Sequence, residues 1–164
     1  MAKFIRTATL TILPALPAAL GGALHAINSC REAIYCAGAR NDGSATGVTT
    51  IAAGATYTST LAANNDNIGA VLKCATQADA SGTVNPYQLE LTVQSGVSYM
   101  DLPHENGDPF LDSPRWAEIP GTACRLACAA CRLACAASDT SCEWPTLTTC
   151  ISQGDAYLHL CSST

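Results

Sequence analysis

The 164-residue chain has few charged and few aromatic side chains. Asp, Glu, Lys and Arg make up 13% of it, against about 25% in an average globular protein. Aromatic residues make up only 5%, whereas apolar residues reach 48%. A chain of this length suggests one domain that can bury a core, but Ala, Val, Ile and Leu must build most of that core.

The sequence also lacks the short motifs of three large enzyme classes. It contains no Gly-x-Ser-x-Gly elbow, no phosphate-binding P-loop and no His-Glu-x-x-His. Acyl transfer by an elbow serine, nucleotide hydrolysis and zincin chemistry therefore have no support. No Asn-x-Ser/Thr sequon occurs either, so we expect no N-glycosylation.

The N-terminus has the three-part layout of a secretory signal peptide. Lys3 and Arg6 form a basic region, and Ala8–Leu20 is an apolar run interrupted by two prolines. This run is too short for a bilayer span, which takes about 20 apolar residues. We expect cleavage after Gly21, which makes residues 1–21 the signal peptide and predicts a secreted, extracellular protein.

Removal of this segment makes the chain more acidic. Two of the eight Lys and Arg leave with it, so six basic residues face thirteen acidic ones and the net charge is about −7. A carboxylate-rich surface repels nucleic acid and anionic lipid. We therefore expect no nucleic-acid partner and, without a second long apolar run, no membrane span in the mature chain.

All ten cysteines lie in the mature part. An even number in an exported chain predicts a disulfide framework of up to five bonds. The cysteines are Cys30, Cys36, Cys74, Cys124, Cys128, Cys131, Cys135, Cys142, Cys150 and Cys161.

Four of these cysteines belong to a short internal repeat. Cys-Arg-Leu-Ala-Cys occurs at Cys124–Cys128 and again, seven residues later, at Cys131–Cys135. The Ala- and Leu-rich composition predicts a helix over Cys124–Ala137 with the four cysteines near one face. A zinc or iron–sulfur site is the alternative, but an oxidising destination favours disulfides, and we expect no metal and no cofactor.

The segment from Gly22 to about Met100 has the pattern of an all-β fold. Short runs of Val, Ile, Thr and Tyr alternate with turn residues, which is typical of a sandwich. The predicted strands are Ala23–Asn28, Ala33–Cys36, Val48–Ile51, Thr56–Leu61, Ala70–Cys74, Gln88–Val93, Val97–Met100 and, near the C-terminus, Ala156–Cys161.

Four prolines and an Asn-Gly pair predict an irregular loop over residues 101–120. This acidic loop holds the candidate site residues, which are Asp101, His104, Glu105, Asp108 and Asp112, with Arg115 and Glu118 further along. Paired carboxylates are what a glycosidase needs, and they could also line a sugar-binding or calcium cleft. The simpler interpretation is a solvated surface loop.

Several short motifs resemble the thaumatin-like proteins and, more closely, their small fungal relatives in the yeast-phase-specific secreted protein family. The motifs are the strand pair His25–Cys30 and Ala33–Tyr35, the Gly-x-x-Tyr entry in Ile51–Tyr57, Tyr87–Thr92, Ser98–Leu102, Asn106–Phe110 and Leu158–Cys161. Together these motifs are spread over nearly all of residues 22–161.

The resemblance implies an antiparallel thaumatin-like β-sandwich with a disulfide-rich, partly helical C-terminal lobe. The sandwich would comprise residues 22–100 and 156–161, and the lobe residues 121–155. The resemblance suggests that Cys30 pairs with Cys161, and we expect Cys36 to pair with Cys74. The six cysteines from Cys124 to Cys150 would then pair among themselves.

Larger thaumatin-like proteins carry an acidic cleft that some use to bind or weakly hydrolyse β-1,3-glucan. Asp101 matches one cleft aspartate, whereas Pro103 and Asn106 replace the usual Ser and Asp. We therefore expect a monomeric, non-catalytic secreted protein that acts on cell-wall polysaccharide or a host surface protein, as an antigen, adhesin or effector. The alternative is a weak endo-β-1,3-glucanase or glucan-binding protein that uses Asp101 with Glu105 or Asp108.

Overall fold

A computed structural model describes residues 21–120, 131–143, 145–150 and 153–164 of the chain. The predicted signal peptide, apart from Gly21, lies outside the described residues. The first copy of the five-residue repeat lies outside them as well.

The described residues form short β-strands and no helix. In chain order the strands are β1 Gly21–Gly22, β2 Leu24–Asn28, β3 Ile34–Arg40, β4 Thr49–Ile51, β5 Thr56–Thr58, β6 Ala63–Asn64, β7 Ala70–Ala75, β8 Ala78–Asp79, β9 Gly82–Thr83, β10 Tyr87–Gln94, β11 Val97–Asp101, β12 Arg115–Ile119, β13 Cys131–Cys135, β14 Thr148–Cys150 and β15 Ala156–Leu160.

Two larger sheets form the β-sandwich. The six-stranded sheet has the order β14-β11-β10-β7-β3-β4, and the five-stranded sheet has the order β13-β12-β15-β2-β5. Two small pairs, β1 with β6 and β8 with β9, complete the described strands. The chain passes repeatedly between the sheets, so neither sheet can form without residues distant in sequence.

Side chains along a strand point alternately to its two faces, and the face that carries the apolar residues packs on the core, as in β10. Leu89, Leu91 and Val93 are fully buried, whereas Glu90 is exposed on the opposite face. A strand with one apolar and one polar face packs one side on the core and leaves the other to solvent. This confirms the strand predicted over Gln88–Val93, which in the structure extends over Tyr87–Gln94.

The core between the two sheets is mainly aliphatic, as the shortage of aromatic residues requires. Its fully buried side chains include Leu24, Leu72, Leu89, Leu91, Met100, Leu102, Leu158 and Leu160. Tyr87 and Phe110 supply an aromatic contact, with ring centroids 6.5 Å apart and the rings nearly perpendicular. Burying an aliphatic side chain of this size contributes about 1.5–3 kcal/mol.

The helix predicted for Cys124–Ala137 is wrong where the chain is described, because the second copy of the repeat is strand β13. Leu133 and Cys135 are buried, whereas Arg132 and Ala134, which alternate with them along the chain, are exposed. This two-residue alternation suits a strand against β12, and such tertiary pairing outweighs the helix preference of Ala and Leu. In its described residues, the lobe that was predicted to be partly helical therefore contains strands and no helix.

Two further features differ from the expectation. The predicted irregular loop over residues 101–120 contains β12, a mostly buried strand whose flanking Pro114 and Pro120 lie just outside it. Proline lacks the N–H for a sheet ladder but is tolerated at strand ends. The sandwich is also mixed rather than purely antiparallel, because β15 pairs with β2 in parallel.

Disulfide bonds join neighbouring strands at the end of one sheet and within the other. Cys30 after β2 is bonded to Cys161 after β15, and Cys36 is bonded to Cys74 across the β3–β7 pair. Cys135 is bonded to Cys142, and Cys150 is also disulfide-bonded. In the described part of the chain, no helix is long and apolar enough to cross a membrane.

We predict that replacing both Cys30 and Cys161 by Ser destabilises the protein far more than replacing Cys135 and Cys142. The first bond closes a sequence separation of 131 residues and the second only 7. Loop-closure entropy then assigns the bonds about 5 and about 2.4 kcal/mol. Denaturant unfolding of the two double variants beside the wild type measures both losses. Equal losses would contradict the chain-entropy explanation.

Candidate functional site

Asp101, the leading candidate from the sequence, lies at the end of β11. It stands directly opposite Glu90 of β10 on the outer face of the six-stranded sheet. Opposed residues of an antiparallel pair have Cβ atoms about 4.5–5.5 Å apart. The structure thus gives Asp101 an acidic neighbour that the sequence analysis did not select.

These two carboxyl groups hold their protons more tightly than usual. Burial raises the pKa of Asp101 to about 6, and the charge of Glu90 adds to the rise. Burial also raises the pKa of Glu90, with a further rise from Glu105 that Lys73 opposes. Acid catalysis of glycosidic bond cleavage uses two neighbouring carboxyl groups, one of them with a raised pKa.

Asp108, a second candidate from the sequence, is part of a buried ion cluster centred on Arg115. The Arg115 guanidinium is fully buried, and its Nη2 lies 2.7 Å from Oδ2 of Asp108. Glu143, also fully buried, accepts a hydrogen bond of 3.0 Å from Nε of Arg115 and a second one from Nη2. The cluster joins the acidic loop to the segment after β13.

Other groups complete this cluster. The guanidinium lies 5.2 Å from the ring centroid of Tyr87, and its Nη2 donates to the carbonyl oxygen of Asp139 at 3.0 Å. His104, another candidate, places Nδ1 2.8 Å from Oε2 of Glu143. Burial raises the pKa of Asp108 to about 6, although Arg115 opposes that rise.

The remaining acidic candidates lie apart from one another. Glu105 is exposed and close enough to influence Glu90 electrostatically. Asp112 is exposed and lines none of the clefts described below. Glu118 lies on the outer face of the five-stranded sheet, 3.0 Å from Arg132. The acidic loop therefore brings only Glu105 and Asp108 into one cleft and leaves its other acidic side chains outside that cleft.

Three open clefts lie side by side along the molecule. The first, about 420 Å³, covers the outer faces of β3 and β7 and is lined by Ala37, Ala39 and Lys73 among others. The second, about 570 Å³, contains Glu105 and Asp108. The third, about 560 Å³, lies beside the Cys30–Cys161 bond and the bend before β3.

These clefts adjoin one another, because they share lining residues. Asn85 and Asn106 line both the first and the second cleft, and Thr76 and Pro109 line both the second and the third. We call the three together the trench. The trench begins on the outer faces of β3 and β7 and ends beside the Cys30–Cys161 bond.

A close backbone approach shapes the second cleft. The backbone of Gly107 packs on Asn85, and a Cβ at Gly107 would lie only 2.7 Å from Cβ of Asn85. Gly107 has a φ of 125°, which favours glycine. This contact holds the acidic loop against the chain that enters β10.

The two remaining histidines belong to the outer face of the five-stranded sheet. His25 stacks on Tyr157 at a centroid distance of 4.3 Å, and His159 stacks on Trp116 at 3.5 Å. Arg132 covers the Trp116 ring at 4.1 Å. Among the described residues, no group of three His, Cys, Asp or Glu side chains could hold a metal ion.

Sequence reasoning missed Glu90, Glu143 and the role of Arg115. Glu90 carries a weak signal, since it is the acidic residue on the polar face of a predicted strand. Glu143 gives none, because an acidic residue in a Ser- and Thr-rich segment ordinarily faces solvent. Only the structure brings residues 108, 115 and 143 together.

The comparisons with known proteins agree with this architecture. A family model described as Blastomyces yeast-phase-specific protein matches residues 10–162. The chain belongs to that family. No curated protein sequence matches it.

Two solved structures share the fold of this member of the yeast-phase-specific family. The protein elicitor MoHrip2 from Magnaporthe oryzae has 21% identity and a TM-score of 0.69, with 86% of this chain and 99% of that one covered. The thaumatin-like xylanase inhibitor TLXI has 14% identity and a TM-score of 0.58, covering 85% and 99%. The chain thus has a thaumatin-like fold.

We predict that Arg115→Met destabilises this protein by about 3–5 kcal/mol, since it leaves two buried carboxylates without their cation. Arg132→Met, which removes an exposed partner of Glu118, should cost about 1 kcal/mol or less. Urea unfolding measures both. If Arg115→Met costs no more than Arg132→Met, the buried ion cluster does not hold the acidic loop in place.

We also predict that stability falls as the pH rises from about 4 to about 6. The folded-state pKa of Asp101 is about 6, above its ordinary 3.8, so the folded state binds the proton more tightly and gains stability in acid that is lost near pH 6. Asp101→Asn should reduce the difference in melting temperature between pH 4.5 and pH 7. Asp112→Asn is the control and should leave it unchanged. Parallel pH profiles for wild type and Asp101→Asn would contradict the assignment.

Proposed function

We propose that this protein is secreted and acts outside the cell as a non-catalytic binding protein at a cell wall or a host surface, in the manner of an antigen, adhesin or effector. The observation that carries the proposal is the trench, which is open and does not include Glu90 or Asp101, the facing carboxyl groups that could perform hydrolysis. An open groove offers contact area without enclosing a scissile bond.

Candidate side chains of the acidic loop are already paired with other groups of the protein, which supports binding over catalysis. Asp108 is committed to Arg115, and His104 contacts Glu143. A general acid or base must lie within hydrogen-bond distance of the substrate. Groups whose atoms are already held in a buried cluster are poorly placed for that task.

The disulfide frame supports action in an oxidising, extracellular setting. Bonds such as Cys30–Cys161 persist outside the reducing cytosol. The solved neighbour MoHrip2 is described as a protein elicitor, which agrees with an effector role. The predicted signal peptide over residues 1–21 supplies the route of export.

The second candidate function is weak endo-β-1,3-glucanase activity. One observation favours it, namely the facing carboxyl groups of Glu90 and Asp101 with their raised pKa values. A retaining glycosidase needs two carboxyl groups about 5–5.5 Å apart on either side of the bond. Against it, neither residue lines any of the three clefts of the trench.

We expect the purified secreted protein to be retained by insoluble cell-wall material or by host cells, and to release no reducing sugar from laminarin. Co-sedimentation and a reducing-sugar assay measure the two properties. Glu105→Gln and Asn106→Ala should weaken retention because both alter the trench, whereas Asp112→Asn should not.

Two results would overturn parts of this proposal. Failure of both insoluble β-glucan and host-cell surfaces to retain the protein would remove the binding function. Laminarin hydrolysis that Asp101→Asn and Glu90→Gln each abolish would establish the glucanase instead.

A further inference from the structure

The trench varies in chemistry along its length. The first cleft has a floor of small side chains with the Lys73 ammonium beside them. The second contains the exposed carboxylate of Glu105. The third combines the apolar atoms of Ala33, Pro109 and the Cys30–Cys161 bond with the exposed Arg31 and Glu32, whereas Ile34 and Phe110 beside them are almost completely buried. A ligand that fills the trench therefore meets small side chains beside a positive charge, then a negative charge, then a partly apolar wall.

Solvent-exposed amide side chains lie along the middle of the trench. Within the described part of the chain, the amides of Gln77, Asn85 and Asn106 are exposed and make no hydrogen bond to another protein group, so they are free to bind a ligand. Each amide offers both a donor and an acceptor. An extended polypeptide segment presents the matching carbonyl and N–H groups, which must be satisfied when it binds.

The trench has little to offer the apolar face of a sugar ring. Among its described lining residues Phe110 is the only aromatic, and its side chain is 2% exposed. Aromatic faces supply the large rigid contact area that flat apolar surfaces need. The charged groups of the trench can hydrogen-bond to sugar hydroxyls, but a neutral glucan offers them no opposite charge, whereas they can select among peptides by charge.

We propose that the trench binds an extended segment of a partner protein, with a basic side chain beside Glu105 and an apolar side chain in the third cleft. This inference rests on the proposed binding function and names the class of its ligand. The acidic mature chain favours approach of a basic segment. Each cleft also lies within the range of about 300–1,000 Å³ that is usual for ligand sites.

The order of the clefts sets the order of the two anchors. Because the second and third clefts share Thr76 and Pro109, the basic and apolar side chains must be close in the partner's sequence. Residues of an extended chain advance about 3.3 Å each, and alternate side chains face the same way. Neighbouring clefts on one surface therefore favour an even spacing.

The experiment uses the secreted full-length protein and fluorescent peptides of nine residues. Each peptide carries one Lys and one Leu in an Ala, Ser and Thr background, separated by one to five positions. Matched peptides replace Lys by Glu or Leu by Ser, and β-1,3-glucan hexasaccharide is the sugar probe. Fluorescence anisotropy measures peptide affinity, and competition tests the hexasaccharide.

We expect the Lys–Leu peptides to bind, and the Glu-containing peptides to bind about tenfold more weakly, with the preference reduced in high salt. Glu105→Gln should weaken binding of the Lys–Leu peptides about fivefold and leave the Glu-containing peptides unaffected or improved. Asp112→Asn, the same change in the same loop outside the trench, should have no effect.

A second pair of variants tests the apolar end. Ala33→Trp, at an exposed position that lines the third cleft, should abolish the preference for Leu over Ser. Ala53→Trp adds the same bulk at an exposed turn outside the trench and should preserve that preference. Far-ultraviolet circular dichroism and melting curves confirm that both variants are folded.

Several outcomes would overturn the inference. These are peptide binding that neither Glu105→Gln nor Ala33→Trp alters, absence of peptide binding, and binding of the hexasaccharide in place of peptides. In the last case the proposed wall-binding function stands and only the ligand class fails. Loss of retention on walls and host surfaces, measured separately, is what removes the proposed function itself.

Discussion

The buried pairing of Arg115 with Glu143 and Asp108 is the interaction on which the functional side of the molecule depends. Its three members come from β12, from the segment after β13 and from the acidic loop. A fully buried guanidinium is tolerated only when its donors are satisfied. The positions of these three segments are thereby linked, and the walls of the second and third clefts are fixed with them.

This arrangement also explains why a loop rich in carboxylates is not an acidic cleft. A buried cation draws Asp108 inward, and Glu143 holds the exposed His104 against the cluster. Glu105 is left facing solvent at the rim of the trench. One surface charge next to neutral amides can orient a ligand, whereas two converging carboxyl groups are needed to cleave a glycosidic bond.

Local patterns in the sequence were sufficient to predict much of the sandwich. The runs that became β2, β3, β7, β10, β11 and β15 are short apolar-rich segments bounded by turn residues. In β10 and β15 burial also follows an alternation of apolar and polar residues. Strand β12 was not predicted because the prolines on either side of it are typical of a loop. Strand β13 was not predicted because Ala and Leu favour a helix, and only hydrogen bonding to a neighbouring strand makes this segment extended.

The candidate site was less predictable for a physical reason. Asp101 could be selected from its motif, but its partner Glu90 depends on the register between β10 and β11, which a turn of two residues at Ser95 and Gly96 sets. The pairing of Arg115 with Glu143 joins residues 28 apart in sequence. No local pattern encodes such a contact, because either residue alone would ordinarily remain in water.

The separation of the Glu90–Asp101 pair from the trench is the final constraint on function. Raised pKa values mean that both groups lose hydration in the folded state, and folding must offset that cost. An enzyme recovers such a cost by placing its substrate across the pair. Here Glu90 and Asp101 stand on the open face of a sheet and line none of the three clefts, so a polymer bound in the trench would not lie across the pair.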